Sequence, residues 1–201
     1  RRCNLKCVHC YAQAVDPEGK DEISTDQAKE IIDDLAQYGA PVMLFSGGEP
    51  LVRKDLTELA SYATSKGMRA VISTNGTLIT PEKARELKDV GLSYVGISLD
   101  GGREVHDAFR QVPGAFDKAL QAVENCQKEG LKVGLRFTIN KRNAQEIPTL
   151  FDIIEDMDIP RICFYHLVYS GRGSELIKED LDHQETREVL EKRIENLPAL
   201  S

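Results

Sequence analysis

The sequence has no tryptophan and only three methionines, and aromatic residues make up 6% of its 201 residues. No apolar run approaches the roughly 20 residues needed to span a bilayer. The first residues also lack the charged segment, apolar segment and cleavage site of a signal peptide. We therefore expect a cytoplasmic protein with no membrane partner. Its formal net charge is −7, and no basic block or stripe interrupts the mixed charges, so we expect no nucleic-acid partner.

A disulfide framework is also missing. Of the five cysteines, Cys3, Cys7 and Cys10 lie within the first ten residues, whereas Cys126 and Cys163 stand alone. Disulfide-rich domains spread an even number of cysteines along the chain. Clustered thiols in a reducing compartment instead indicate a metal site, and the two isolated cysteines are typical of core positions.

The hydrophobic pattern predicts an α/β fold. Apolar residues recur at helical spacing between Ser24 and Tyr38, with Ser24 as the N-cap and Gln27 three residues later. Short apolar runs then alternate with helical stretches, which gives five visible βα cycles. Strands are predicted at 42–45, 69–73, 94–99, 132–139 and 161–168, and helices at 56–65, 81–90, 115–129 and 144–157. Parallel strands with helical crossovers form an open sheet or a partly closed barrel.

We expect the catalytic core to occupy residues 1–182, followed by a trailing helix in 183–201 that leads to a C-terminal region absent from this chain. The cysteine motif begins at the third residue without a preceding strand. We therefore also expect a first strand upstream of Arg1.

The three clustered cysteines have the spacing CxxxCxxC. This spacing lets three thiolates wrap one cubane cluster while its fourth iron keeps no protein ligand. A structural zinc site would need a fourth ligand. His9 is a candidate for it, but its adjacency to Cys10 is awkward for one tetrahedral ion.

The motif RRCNLKCVHCY resembles the signature of the radical S-adenosylmethionine (SAM) superfamily, and GGEP follows the first predicted strand as Gly47–Pro50. The resemblance implies a partial (β/α)6 barrel, a 4Fe–4S cluster on the three cysteines, and SAM as cosubstrate. It also implies that Gly47 and Gly48 let the backbone approach SAM, and that Glu49 accepts hydrogen bonds from the SAM ammonium group. An ordinary βα turn would also use Gly and Glu.

Polar residues end the next two predicted strands, in the phrases STNG and SLDG. By resemblance, Ser73, Asn75, Ser98 and Asp100 lie near SAM or substrate, because short polar side chains can bond a ribose or a carboxylate. Turn and cap chemistry is the alternative.

Arg136 interrupts an apolar strand, which is costly unless an anion pairs with its guanidinium. The candidate partner is the SAM carboxylate, and the alternative is a structural ion pair.

The implied chemistry is reductive cleavage of SAM to a 5′-deoxyadenosyl radical, with the electron supplied by a flavodoxin- or ferredoxin-type donor. No catalytic residue is assigned beyond the cluster and SAM. A non-catalytic iron–sulfur protein would need the cysteines but neither GGEP nor the polar strand ends.

The phrase CFYHLVYSGRG, from Cys163 to Gly173, resembles the branch of the superfamily that makes modified or alternative haem. It implies a siroheme-derived tetrapyrrole substrate, with deacetylation of 12,18-didecarboxysiroheme as the reaction. Arg172 would then suit the substrate carboxylates, while His166 is interpreted as a packed core histidine rather than a ligand of the macrocycle iron.

The alternative is a peptide- or protein-modifying maturase, because GGEP, SLDG and the phrase DGGREVHDAFR are shared with that branch. Within this phrase we expect helix capping, not catalysis, from His106 and Asp107. Both hypotheses imply an auxiliary 4Fe–4S cluster in a C-terminal region outside this chain.

Overall fold

A computed structural model describes residues 1–14 and 22–194 of the chain. Its centre is a five-stranded sheet in which every neighbouring pair is parallel and the spatial order follows the sequence. The strands are β1 (Val42–Phe45), β2 (Arg69–Thr74), β3 (Tyr94–Ser98), β4 (Val133–Thr138) and β5 (Ile162–Tyr165). The helices are α1 (Thr25–Gln37), α2 (Leu56–Ser65), α3 (Pro81–Asp89), α4 (Arg103–Arg110), α5 (Ala115–Lys128), α6 (Ile147–Asp156) and α7 (His183–Ile194). The α/β class and the five βα cycles predicted from the sequence are confirmed.

Helix α1 begins where the sequence predicted. The Ser24 hydroxyl accepts the Gln27 amide and the Gln27 side chain accepts the Ser24 amide, which completes a capping box. The helix ends before Gly39, whose φ of +85° is in the left-handed region that favours glycine.

Alternation along each strand separates the two faces of the sheet. In β3, Val95 and Ile97 are fully buried in the hydrophobic core, whereas Gly96 and Ser98 point to the opposite face. Burial of each such aliphatic side chain contributes about 1.5–3 kcal/mol. The core therefore lies on the helical side of the sheet and leaves the other face open to hold a site.

Three features differ from the sequence prediction. Helix α4 was not predicted, because two of its three buried residues, His106 and Arg110, are polar and only Phe109 is apolar. The polar segment after Val168 contains a 3₁₀ helix, Gly171–Glu179, and β5 already ends at Tyr165. The end of the trailing helix predicted in 183–201 lies outside the described residues.

Within the part of the chain that the structure describes, no helix is long and apolar enough to cross a bilayer.

Candidate active site

A cavity of about 270 Å³ lies between the carboxyl ends of the strands and the N-terminal cysteine segment. It is lined by the cysteine segment (Cys3, Leu5, Cys7, His9, Cys10, Tyr11, Ala14), by the ends of β1 to β3 (Ser46, Gly47, Gly48, Ser73, Thr74, Asn75, Ser98), and by Arg110, Arg136, Thr138, Tyr165, His166 and Val168. Of the eleven residues predicted to bind the cluster or SAM, nine line this cavity, and the exceptions are Glu49 and Asp100.

The three predicted cysteine ligands surround the cavity with free thiols, and Cys7 is buried. The Leu5 amide donates to Cys3 Sγ at 3.4 Å, and the Cys10 amide donates to the Cys7 carbonyl at 3.3 Å. Burial raises the pKa of the Cys3 thiol; the Leu5 hydrogen bond lowers it, and the nearby Cys7, Glu49 and Cys10 raise it. The Cys7 and Cys10 thiols therefore lie close enough to Cys3 to influence its pKa.

No three Cys, His, Asp or Glu side chains in residues 1–14 and 22–194 converge on a single metal ion. Cys3, Cys7 and Cys10 all line the cavity, and a cubane does not need them to meet at one ion, because each of its thiolate ligands binds a different iron. His9, the fourth ligand of the zinc alternative, lies with Nε2 3.8 Å from Asp100.

Gly48 makes room for the protein's own backbone. A Cβ there would collide with the Arg2 carbonyl oxygen and lie 3.1 Å from the Ala14 Cβ, and that carbonyl accepts the Glu49 amide at 2.9 Å. Gly48 is thus needed because the cysteine segment crosses the end of β1 at this point. The sequence suggested a different reason, the approach of the backbone to SAM. Gly47 has a φ of +144° and no neighbour within 4 Å of an added Cβ, so its backbone is open to a ligand.

Glu49 lies behind the cavity wall and is 3% exposed. Its carboxylate accepts the Leu51 amide at 3.1 Å, the Thr74 hydroxyl at 2.7 Å and the Asn75 amide at 2.8 Å. Burial raises the pKa of Glu49 above its usual range, against the lowering effect of these hydrogen bonds. The carboxylate therefore ties the end of β1 to the end of β2. Three of the roughly four acceptor positions of the carboxylate are thus used within the protein, and the expected contact with the SAM ammonium group stays a prediction.

Ser98 and Arg136 are paired residues of β3 and β4, and both line the cavity. The guanidinium of Arg136 stacks on the Tyr165 ring, 4.4 Å from its centroid. Among the described residues, no carboxylate lies within 4 Å of this guanidinium in an ion pair. The structural ion pair considered from the sequence is thus not found, and the planar edge of Arg136 is free for an anion.

The Arg136 side chain reaches the cavity across Gly96. A Cβ on Gly96 would lie 2.8 Å from the Arg136 Cδ. Glycine inside a strand marks such close approaches, so Gly96 in the predicted strand 94–99 is a further sequence signal for the path of Arg136.

Asp100 also lies behind the wall and is not among the residues that line the cavity, so its expected place near SAM or substrate stays a prediction. It is fully buried, and its Oδ2 lies 2.7 Å from Arg110 Nε. Burial raises the pKa of Asp100, but Arg110, His9 and His106 lower it more, and the result is below the usual range. Arg110 in turn reaches the cavity and donates to Cys7 Sγ at 3.4 Å.

Arg110 was missed by the sequence analysis. The signal for it is the spacing of His106 and Arg110, four residues apart and therefore on one face of a helix. His106 is fully buried in α4, and its Nδ1 accepts the Asp100 amide at 3.0 Å, so its expected capping role is wrong. Asp107 does cap, because its carboxylate accepts the Gly114 and Phe116 amides at the start of α5.

Two expectations for the segment after β5 change. The Arg172 side chain donates to the Cys7 carbonyl at 2.8 Å and to the Ala14 carbonyl at 3.2 Å, so it clamps the cysteine segment and is not available to substrate carboxylates. His166 is exposed and lines the cavity, so its interpretation as a packed core histidine is wrong.

The family pattern described as the Radical SAM superfamily matches residues 1–154. The chain belongs to the radical SAM superfamily.

Three curated relatives cover most of this radical SAM chain. Fe-coproporphyrin III synthase from Methanosarcina barkeri is 65% identical over 191 residues, which is 95% of this chain and 48% of the relative. Pre-heme d1 synthase from Dinoroseobacter shibae is 42% identical over 95% of this chain and 47% of its own length. Mycofactocin maturase MftC from Mycobacterium tuberculosis is 41% identical over 87% of this chain and 44% of its own length. The radical SAM chain thus spans about half the length of the curated relatives that it matches.

Solved structures carry the same fold. The crystal structure of Streptococcus suis SuiB bound to S-adenosylmethionine superposes with a TM-score of 0.83 at 20% identity, over 97% of this chain and 45% of that one. At this identity the likeness concerns the fold, and it confirms the predicted radical SAM α/β architecture.

The residues around the cavity fit both groups that the radical SAM family implies. Three free thiols around one cavity supply the donor set of a 4Fe–4S cluster with one iron left open. Ser98 and the free guanidinium edge of Arg136 supply donors for a carboxylate. The cysteine segment and the strand ends thus face each other across the same space.

Proposed function

We propose that this chain is the SAM-cleaving core of an enzyme that removes acetate groups from didecarboxysiroheme to form an iron coproporphyrin. The observation that supports this choice of substrate is the 65% identity with a relative named Fe-coproporphyrin III synthase. The relative named as a maturase is less similar, at 41%. The reaction class is supported by the three thiols and Arg136 around one cavity.

In this proposal Cys3, Cys7 and Cys10 hold a 4Fe–4S cluster. When bound, the cluster supplies one electron that breaks the bond between the SAM sulfur and C5′, which releases methionine and a 5′-deoxyadenosyl radical. Ser98 and Arg136 bind the SAM carboxylate and orient the cosubstrate. The electron comes from a flavodoxin- or ferredoxin-type donor.

The mouth of the cavity has the chemistry that a tetrapyrrole needs. Tyr11 is 47% exposed, Tyr165 36% and Val168 52%, and all three line the cavity together with His166. Aromatic and aliphatic groups suit the face of a flat macrocycle. An exposed imidazole suits an iron at its centre. We therefore propose that His166 faces the macrocycle.

The test is anaerobic incubation of the full-length protein with SAM, a reductant and didecarboxysiroheme. We expect 5′-deoxyadenosine together with a tetrapyrrole whose mass has fallen by its acetate groups. Cys7→Ser should abolish both products, whereas His166→Ala should reduce tetrapyrrole conversion more than SAM cleavage. If SAM is cleaved and the acetate groups remain, while a peptide encoded nearby is modified, the enzyme is a maturase.

A further inference from the structure

Arg110 is a buried cation placed directly against a predicted cluster ligand. It projects from α4, is 6% exposed, and donates from Nη1 to Cys7 Sγ at 3.4 Å. Burial of a guanidinium is costly unless its charge and its donors find partners. The position therefore needs an explanation beyond packing.

Asp100 supplies one of those partners. It is fully buried at the end of the β3 segment, and its Oδ2 lies 2.7 Å from Arg110 Nε. The guanidinium thus has two directions of contact, one toward a carboxylate and one toward a thiol. His106 holds this arrangement, because its Nδ1 accepts the Asp100 amide at 3.0 Å.

We propose that Arg110 and Asp100 form a positioning pair that sets the reduction potential of the cluster held by Cys7. This inference rests on the proposed function, specifically on a 4Fe–4S cluster at the three cysteines. A reduced cluster carries one more negative charge than an oxidised one. A buried cation that donates to a ligating sulfur stabilises the reduced form, and low local polarity strengthens the effect. Asp100 aims the guanidinium and offsets part of its charge.

The proposal predicts shifts of the cluster's midpoint potential in opposite directions for the two members of the pair. Arg110→Met removes the cation and the donor at similar length, so the cluster becomes harder to reduce and its midpoint potential falls. Asp100→Asn keeps the shape of the side chain but removes the offsetting charge, so the potential rises. Arg110→Lys keeps the charge without the planar fork and gives a smaller fall. A purely structural role would not produce shifts of opposite sign.

The experiment is a redox titration of anaerobically reconstituted protein, followed by paramagnetic resonance, with iron content measured for every variant. We expect at least a tenfold change in the reduction equilibrium for Arg110→Met, which corresponds to about 59 mV for one electron. Arg103→Met is the matched control, because this arginine lies on the same helix, is 56% exposed and pairs with Asp117. Its potential should equal that of the wild type.

The outcomes separate the two proposals. A wild-type protein that assembles no cluster refutes the proposed function. Intact clusters at the wild-type potential in Arg110→Met and Asp100→Asn refute only the present inference. If Arg110→Met does not retain iron, the direction of the change in midpoint potential in Asp100→Asn decides. An unchanged or lower potential in that variant overturns the inference. If neither variant retains iron, Arg110→Lys decides, and a wild-type potential in it overturns the inference.

Discussion

Substitution of Gly96 by alanine tests the position of Arg136 without removing any polar group. Gly96 lies in β3, and an added Cβ would be 2.8 Å from the Arg136 Cδ and 3.4 Å from its Cγ. Carbon atoms prefer a separation of about 3.5–4.0 Å. The Arg136 side chain must therefore move, because a strand backbone paired on both sides yields less readily than a side chain.

The magnitude follows from what Arg136 does at the cavity. Its guanidinium stacks on Tyr165 at 4.4 Å and is proposed to bind the SAM carboxylate. A hydrogen bond to a charged group contributes about 1.5–3 kcal/mol. Its full loss in Arg136→Ala should weaken SAM binding by about 10-fold to 150-fold, at about 1.4 kcal/mol per factor of ten. We expect Gly96→Ala to reach a large part of that loss, while overpacking lowers the free energy of unfolding by about 1–3 kcal/mol.

The assay is calorimetric SAM binding to the anaerobically reconstituted protein, with iron content measured in parallel. Arg161→Ala is the control, because Arg161 also lies over a tyrosine ring, 5.8 Å from the Tyr94 centroid, but does not line the cavity. Wild-type SAM affinity in both Gly96→Ala and Arg136→Ala would refute the assignment of the carboxylate site.

Three further predictions concern the site. Cys7→Ser should lose the cluster, whereas Cys126→Ala and Cys163→Ala should keep it; iron content and paramagnetic resonance decide, and cluster loss in Cys163→Ala alone would contradict the motif assignment. Glu49→Gln turns an amide donor toward the Leu51, Thr74 and Asn75 donors, so denaturant titration should show a loss of about 1–3 kcal/mol in unfolding free energy. The variant should also lose more SAM affinity than iron content. A SAM affinity equal to that of the wild type would contradict the predicted contact between Glu49 and the SAM ammonium group. Burial and then Arg110 lower the pKa of His106 from 6.5 to about 4, so the metal-free protein should lose up to about 3 kcal/mol of unfolding free energy through this residue as the pH falls from about 6.5 to about 4. The His106→Asn variant should lose less over the same range. Identical pH profiles for the two proteins would show that His106 is not the cause.

Local patterns in the sequence were sufficient for the elements and for the chemistry of the donors. The capping box at Ser24 and the alternation of apolar runs with helical stretches involve neighbouring residues, so their consequences are readable from spacing alone. The same holds for the CxxxCxxC motif and for GGEP, because the short separation of their residues limits where the chain can go. Helix α4 was not predicted from the sequence because His106 and Arg110 make its buried face mostly polar and their partners lie elsewhere in the chain.

The tertiary structure decided which of those donors face the cavity. Ser98 ends β3 and lines the cavity. Glu49 and Asp100 come shortly after β1 and β3 but lie behind the wall, where the Thr74 hydroxyl donates to Glu49 and Arg110 pairs with Asp100. Arg110 and Arg172 contact Cys7 across 103 and 165 residues of sequence. Contacts at such separations depend on the packing of the whole fold, because no local preference of either segment encodes the distance between them. The sequence by itself thus determined that three thiols, a GGEP turn and five βα cycles are present. The packing of α4 and the 3₁₀ segment against the cysteine segment decided that Arg110 and Arg172 are the side chains that contact Cys7.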